Sequence, residues 1–231
     1  MAQQNAIITG DELQRLGSVG FIVGAVLIVG SGLLMPFAST ATSNLQEMLR
    51  PLGEQQFRTQ LSSLLMAIGF WAAIVGAAAV YRSIGQQGAA WARLGFYVAL
   101  AGTALWTVAL SLDVAVASAA HNWLSAPPGT EDAAWAVVAS LSAFGKGVVP
   151  MTWIVYWLGV AFLALGMILS GVYPRSLGWV GLIISCPLIV VGIIKVFSAR
   201  STSLTLAFAL LEILTAVWFL VVGIWLARKA W

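Results

Sequence analysis

Residues 94–119, with the sequence LGFYVALAGTALWTVALSLDVAVASA, contain one charged side chain, that of Asp113. A helix of this length reaches about 39 Å, which is enough to cross the roughly 30 Å hydrocarbon core of a bilayer. Hydrocarbon offers the backbone no hydrogen-bond partners, so an apolar segment that crosses it must be helical. The segment therefore predicts a transmembrane helix with an ionisable side chain inside the membrane.

The remainder of the chain has the same character. Hydrophobic residues make up 61% of the 231 residues and charged residues 8%, whereas a soluble domain carries about 25% charged residues. The apolar runs predict an all-α protein, a polytopic transmembrane helix bundle that forms a single domain over residues 1–231. Its six spans are predicted at about 18–38, 61–81, 94–119, 147–170, 177–197 and 203–227.

Two further segments are predicted to be helical. Residues 133–145 are apolar but too short to cross a membrane alone. We favour a short extra helix before the fourth span in the form of an extension of the fourth helix, kinked near Pro150. An interfacial or re-entrant helix, or a seventh span, is the alternative. Residues 44–60 mix leucines with polar side chains and predict a surface helix, interrupted by Pro51, that caps the bundle.

The distribution of basic residues predicts the orientation, because cytoplasmic loops carry an excess of Lys and Arg. With the N-terminus inside, the inner set is Arg15, Arg82, Arg93, Arg175, Arg228 and Lys229, and the outer set is Arg50, Arg58 and Arg200. We therefore expect a multi-pass protein of the inner (plasma) membrane with both termini cytoplasmic. The polar tail before a predicted capping box at Thr9–Glu12 lacks signal-peptide features, so we expect the first span to be retained.

Four charged side chains lie within or at the edge of the predicted spans: Asp113, Lys146, Lys195 and Glu212. Each costs about 2.5–3.5 kcal/mol in hydrocarbon, so such groups pair, reach the head groups or line a wet cavity. All four fall in the outer half of the membrane, and their charges sum to zero. Asp113 also shares a helix face with the small residues Gly95, Ala99 and Gly102, which places it inside the bundle.

We therefore predict one polar site that holds all four charges. Trp153, Tyr156 and Trp157 follow Lys146 by two to three helical turns and are predicted to wall an amphipathic pocket. The alternatives are that the lysines extend to lipid head groups and that the carboxylates only form structural pairs.

The sequence also limits the chemistry. A single cysteine, Cys186, and a single histidine, His121, exclude an intrachain disulfide and a multi-histidine metal site within this chain. We find no nucleophile elbow and no His-Glu-x-x-His helix, so no catalytic residue, no metal site and no enzyme activity is predicted. The sequence does not identify a cofactor.

The expected partners are membrane lipids and other membrane subunits or a second copy of the chain. The net charge of +3 is assigned to membrane orientation, so no nucleic acid is expected to bind. The predicted function is that of an accessory subunit in a membrane complex or a binder of a hydrophobic or amphipathic ligand. A small transporter or channel that uses Asp113 and Glu212 for ion or proton coupling is the alternative.

The turn between the fourth and fifth spans carries a family resemblance. Tyr173-Pro174-Arg175 forms a tight turn and Leu177-Gly178-Trp179 opens the next helix. This pattern resembles a group of bacterial six-helix membrane proteins that is catalogued only as a domain of unknown function. The resemblance implies the six-helix architecture and assigns no activity.

Ser125 tests the predicted topology because it lies in the loop between the third and fourth spans. In a Cys186→Ser background, we expect Ser125→Cys to react with a membrane-impermeant maleimide added from outside intact cells. Labelling of Ser125→Cys only after the cells are opened would invert the orientation and contradict the prediction.

Overall fold

The computed structural model of the protein describes residues 10–36, 44–85, 87–198 and 202–230. Within these ranges the chain forms seven helices and no β-strand: α1 (Gly10–Leu34), α2 (Leu45–Glu54), α3 (Gln56–Ser83), α4 (Ala89–Leu124), α5 (Glu131–Ser170), α6 (Arg175–Phe197) and α7 (Thr202–Ala230). All except α2 are long and apolar enough to cross a membrane. The predicted all-α transmembrane bundle with six spans is confirmed.

Most predicted boundaries lie inside the observed helices. This holds for the spans at 61–81, 94–119, 147–170, 177–197 and 203–227. The first span, predicted to extend to residue 38, ends at Leu34 instead. The capping residue Thr9 and the tail before it lie outside the described residues.

The six spanning helices form a ring in chain order. Each spanning helix packs on the next one along the chain, and α1 also packs on α7, which closes the ring. The Arg15 side chain on α1 donates a hydrogen bond of 3.0 Å from Nε to the carbonyl oxygen of Ala230 on α7. The start of α1 and the end of α7 therefore lie together at one end of the bundle. We call the opposite end, which contains the α4–α5 connection, the hairpin end.

Small residues bring α4 and α5 into backbone contact. A Cβ atom on Gly102 would lie 2.5 Å from the Cα of Tyr156, and Cβ atoms on Gly95 and Gly159 would overlap the backbones of Leu163 and Ala99. The buried face of α4 is therefore the small-residue face that contains Asp113, as its spacing predicts. Because the two helices approach so closely, their register is fixed: each residue of α4 lies opposite one particular residue of α5.

This register is constant along the whole hairpin. Helices α4 and α5 are antiparallel, and residues that face each other have numbers with a constant sum. Gly95 is opposite Leu163 near one end. Near the other end, the rings of Trp123 and Trp135 pack with 5.0 Å between centroids. The same register places Asp113 opposite Gly145. Packing far from the charged residues thus sets which residues meet near them.

Helices α4 and α5 are longer than a membrane span. Their 36 and 40 residues correspond to about 54 and 60 Å, well beyond a roughly 30 Å hydrocarbon core. Residues 133–145 form the first part of α5, which runs without interruption through Pro150. This is the extension favoured from the sequence. The segment is neither a separate helix nor a seventh span.

Helix α2 packs on the protruding part of this hairpin. Leu49 on α2 is buried against Val116 and Ala120 on α4 and Val138 on α5. The predicted surface helix is present, but it continues through Pro51 and ends at Glu54. The helix tolerates this proline near its C-terminus, where a lost amide removes a single hydrogen bond.

The turn between α5 and α6 is attached to two other helices. The Tyr173 hydroxyl lies 2.6 Å from the Ser83 Oγ on α3, and its ring packs on Trp225 of α7 at 4.5 Å between centroids. Burial raises the pKa of Tyr173 to about 12, so its hydroxyl stays protonated at neutral pH. The turn that carries the family resemblance thus has a structural role.

Substitution of Gly159 tests the close packing of α4 and α5. Gly159→Ala is expected to lower the free energy of unfolding by about 1–3 kcal/mol, because the new methyl group overlaps the α4 backbone. Gly32→Ala is the control: Gly32 is a helical glycine with open space around it, and alanine favours the helix by up to about 1 kcal/mol. Denaturation in detergent measures both variants. Equal stability of the two would contradict the packing described here.

Candidate functional site

A cavity of about 300 Å³ lies among α2, α4, α5 and α6 at the hairpin end. It is partly open and lined by Asp113, Lys146, Lys195 and Trp153. Three of the four charges that the sequence singles out therefore meet in one cavity, together with one of the three predicted wall residues. The remaining lining is mostly apolar: Leu49, Leu52, Leu112, Val116, Val149 and Pro150, with Gly145 and Ser142.

Helix packing explains why these three charged side chains meet in one cavity. Asp113 is opposite Gly145 in the α4–α5 register, next to Lys146. On α6, a Cβ atom on Gly192 would lie 2.9 Å from the Ile154 side chain, and Lys195 is three residues closer to the hairpin end. The Lys195 backbone is therefore near the level of Met151, about 7 Å deeper than Lys146, and its side chain lines the same cavity from a third helix.

The cavity is at the boundary of the membrane span of α6. This helix has 23 residues, or about 35 Å, so its ends mark the two faces of the hydrocarbon core. Lys195 lies in its last turn. From the length of α6 we therefore expect the cavity to lie near the level where acyl chains give way to lipid head groups.

Among the described residues, Asp113 forms no salt bridge with Lys146 or Lys195. Within the part of the chain that the structure describes, the Asp113 carboxylate makes no ion pair and no hydrogen bond. Lys146 is exposed, and Asp113 and Lys195 are half-buried. One carboxyl group and two lysine side chains therefore line the same cavity.

The structure places Glu212 outside this cavity. The Trp153 ring stacks on Phe208 of α7 with 3.4 Å between centroids, and Glu212 follows Phe208 by four residues. Since Trp153 is itself seven residues deeper than Lys146, Glu212 is about 16 Å deeper than Lys146 along the bundle. The aromatic pair of Trp153 and Phe208 lies between the carboxylate and the cavity, so the site predicted from four charges contains three.

Glu212 belongs to a second group of buried polar atoms. Among the described residues, its Oε1 atom has no hydrogen-bond partner, and neither do the indole nitrogens of Trp106, Trp153 and Trp157. The carboxylate is close enough to the Tyr156 hydroxyl to interact with it electrostatically. One strong acceptor and three donors are thus buried without a described hydrogen-bond partner.

Two of the predicted wall residues occupy the core instead. Tyr156 and Trp157 are 2% and 0% exposed, and Tyr156 packs edge-on against Phe70 of α3. They follow Trp153 by three and four residues, so they lie one turn deeper than the cavity. Among the described residues, no group of three His, Cys, Asp or Glu side chains is placed to hold a metal ion.

The sequence did not identify all the lining residues. Leu49 and Leu52 of α2 form the roof of the cavity, whereas the sequence assigned them only a capping role. Their spacing of three residues on an amphipathic helix was the available signal. Phe208 was also missed, although it is one turn from Glu212 on the same face.

Comparison with known proteins gives one family match. A family model described as Domain of unknown function (DUF4386) matches residues 16–229, as the turn at Tyr173-Pro174-Arg175 led us to expect. No curated protein and no solved structure matches the chain.

Glu212→Gln tests whether the inner carboxylate stabilises the fold. Because Oε1 has no partner in the described structure, we expect the variant to unfold at the same or a higher temperature than the wild type. Arg15→Gln, which removes the hydrogen bond to Ala230, serves as a control that should unfold at a lower temperature. A lower unfolding temperature for Glu212→Gln would mean that the carboxylate has a stabilising partner.

Proposed function

The chain belongs to the DUF4386 family, whose description assigns no activity, and we propose from its site that it binds one amphipathic ligand in the cavity at the hairpin end. The observation that carries this proposal is the composition of the cavity. Asp113, Lys146 and Lys195 share it with leucine, valine and tryptophan side chains. Such a lining is complementary to a molecule with a charged head and an apolar body.

The size of the cavity supports a head group with part of an apolar chain. Ligand pockets in proteins have volumes of about 300–1,000 Å³, and this cavity is at the lower limit. Each methylene group that enters it contributes about 0.8 kcal/mol from the hydrophobic effect. The rest of a longer chain extends from the open side of the cavity into the membrane.

The position of the cavity also fits a ligand from the membrane. We propose that the hairpin end faces the outside of the plasma membrane, with both termini in the cytoplasm. Apart from the two lysines of the cavity, six Lys and Arg residues lie at the other end and three at the hairpin end. The cavity then opens at the level of the outer leaflet. The ligand reaches it by lateral diffusion, without leaving the depth at which its head group already lies.

Binding of this kind requires no catalysis, and we propose none. An accessory subunit that holds a lipid or another amphipathic molecule for a larger assembly is compatible with the same site. The mass of the protein extracted in mild detergent distinguishes this case, because an accessory subunit copurifies with its complex.

A second candidate function is ion or proton coupling in a small transporter, and one observation favours it. The Glu212 carboxylate is buried within the bundle beside the Tyr156 hydroxyl, and one of its oxygen atoms has no partner among the described residues. An intramembrane carboxylate of this kind is a common carrier of protons or cations. A transporter would lose coupled uptake in Glu212→Gln, whereas a ligand-binding protein would retain its ligand.

Two glycines of α5 provide a matched test of the ligand-binding proposal. Gly145 lines the cavity, whereas Gly147 is two residues further along and has open space around it. Leucine at position 145 fills part of the cavity, so Gly145→Leu is expected to reduce the amount of bound amphipathic ligand about tenfold or more. Gly147→Leu should leave it unchanged.

Native mass spectrometry of the protein released from nanodiscs of cell lipids measures the bound ligand. The proposal predicts one bound lipid or lipid-like molecule in the wild type and in Gly147→Leu. An equal loss in both variants, or no bound molecule in the wild type, would contradict it.

A further inference from the structure

A second cavity lies at the other end of the bundle, which we call the termini end because it contains the start of α1 and the end of α7. Its volume is about 570 Å³, and it lies where α4 and α6 begin beside the end of α5. The lining combines polar and apolar side chains: Gln87, Gly88, Ile168, Leu169, Arg175 and Trp179. We propose that this cavity binds one anionic phospholipid, with the lipid phosphate on Arg175 and an acyl chain against Trp179 and Leu169.

This site is separate from the cavity at the hairpin end. None of the described residues that line one cavity lines the other. The anionic lipid is therefore expected to bind independently of the amphipathic ligand proposed above.

The Arg175 guanidinium provides the binding group for the phosphate. Arg175 is the first residue of α6 and is exposed. Within the described part of the chain, its guanidinium makes no ion pair and no hydrogen bond. A guanidinium binds a phosphate through two parallel, charge-assisted hydrogen bonds. The side-chain amide of Gln87 is on the same cavity and can donate another.

The surroundings of the cavity favour a head group with a net negative charge. The lining residues come from two segments, 81–97 and 165–185, which contain three arginines and no Asp or Glu. The positive ends of the α4 and α6 helix dipoles add to this potential. The ammonium of a choline or ethanolamine head group would find no carboxylate in these segments. A phospholipid with an uncharged glycerol head, whose phosphate gives it a net negative charge, is therefore expected to bind more tightly.

Apolar surface for an acyl chain lies next to the guanidinium. Trp179 follows Arg175 by four residues, so the two side chains are on the same face of α6, one turn apart. Trp179 and Leu169 are 51% and 48% exposed, which leaves their side chains accessible to lipid. From the length of α6, we expect its first residue to lie near the level of the lipid phosphates. A phosphate on Arg175 then places the first methylene groups of the chain beside Trp179.

The test is a competition in nanodiscs between a glycerol phospholipid and a choline phospholipid with identical acyl chains, read by native mass spectrometry of the released protein. The wild type is expected to retain the glycerol lipid about fivefold more than the choline lipid. Arg175→Gln should abolish this preference. Arg175→Lys should keep part of it, because lysine retains the charge but not the paired hydrogen bonds.

Arg93→Gln is the matched control. Arg93 is exposed at the same end of the bundle but does not line the cavity, so this variant should behave as the wild type. Trp179→Ala tests the apolar half of the site. It should reduce retention of both lipids about fivefold and leave the preference between them unchanged.

Three results would overturn the inference. An unchanged preference in Arg175→Gln would mean that this guanidinium does not bind the lipid. An equal loss in Arg93→Gln would mean that the lipid follows the general positive charge of this end and not the cavity. Displacement of the lipid by excess inorganic phosphate, added to the protein in detergent, would mean that the site binds free phosphate. If Arg175→Gln unfolds at a lower temperature than the wild type, Trp179→Ala decides, and unchanged retention in that variant overturns the inference.

Gly145→Leu distinguishes this inference from the proposed function. That variant fills the cavity at the hairpin end and should leave the preference for the glycerol lipid intact. Loss of the preference in Gly145→Leu but not in Arg175→Gln would place the anionic lipid in the cavity at the hairpin end. The inference would then be wrong, and the proposed function would stand.

Discussion

The backbone contact between α4 and α5 is the interaction on which the rest of the structure depends. Gly102 on α4 and Gly159 on α5 leave no room for a side chain at the crossing, and this fixes how one helix is placed along the other. In a membrane, where helices gain little hydrophobic energy from each other, such close packing is a main source of association. Asp113 follows Gly102 by eleven residues on α4, and the same contact brings it to the level of Lys146 on α5.

The cavity lies beside the same pair of helices, nearer the hairpin end. Towards the hairpin end, Leu112 and Gly145 are still adjacent, but the helices extend beyond the membrane and their exposed apolar surface needs a cover. Helix α2 supplies the cover, with Leu49 buried against both helices. Lys195 completes the site from the end of α6. From the length of α6 we expect this site to lie at the boundary between hydrocarbon and water, where the head of an amphipathic molecule is in water and its body in hydrocarbon.

Much of this arrangement could be predicted from the sequence. The spans could be predicted from the long apolar runs, because a single segment that crosses hydrocarbon must be an α-helix to satisfy its backbone hydrogen bonds. The inward direction of Asp113 followed from helical periodicity, since it shares a face with Gly95 and Gly102. The position of Glu212 could not be predicted in the same way. Its distance from the cavity depends on the relative placement of α7 and α5, and on a stacked pair, Trp153 and Phe208, that joins residues far apart in the chain. The roof formed by Leu52 likewise depends on where α2 folds back, which no local pattern specifies.

A density map of the protein in nanodiscs of native lipids tests the central claim most directly, because it locates the head group and the three charged side chains together. The account predicts density for one amphipathic molecule in the cavity at the hairpin end, with its charged head group next to Asp113, Lys146 and Lys195 and its apolar part against the leucine and valine side chains of the lining. A map in which Asp113 pairs directly with one of these lysines, and the cavity is closed, would contradict it.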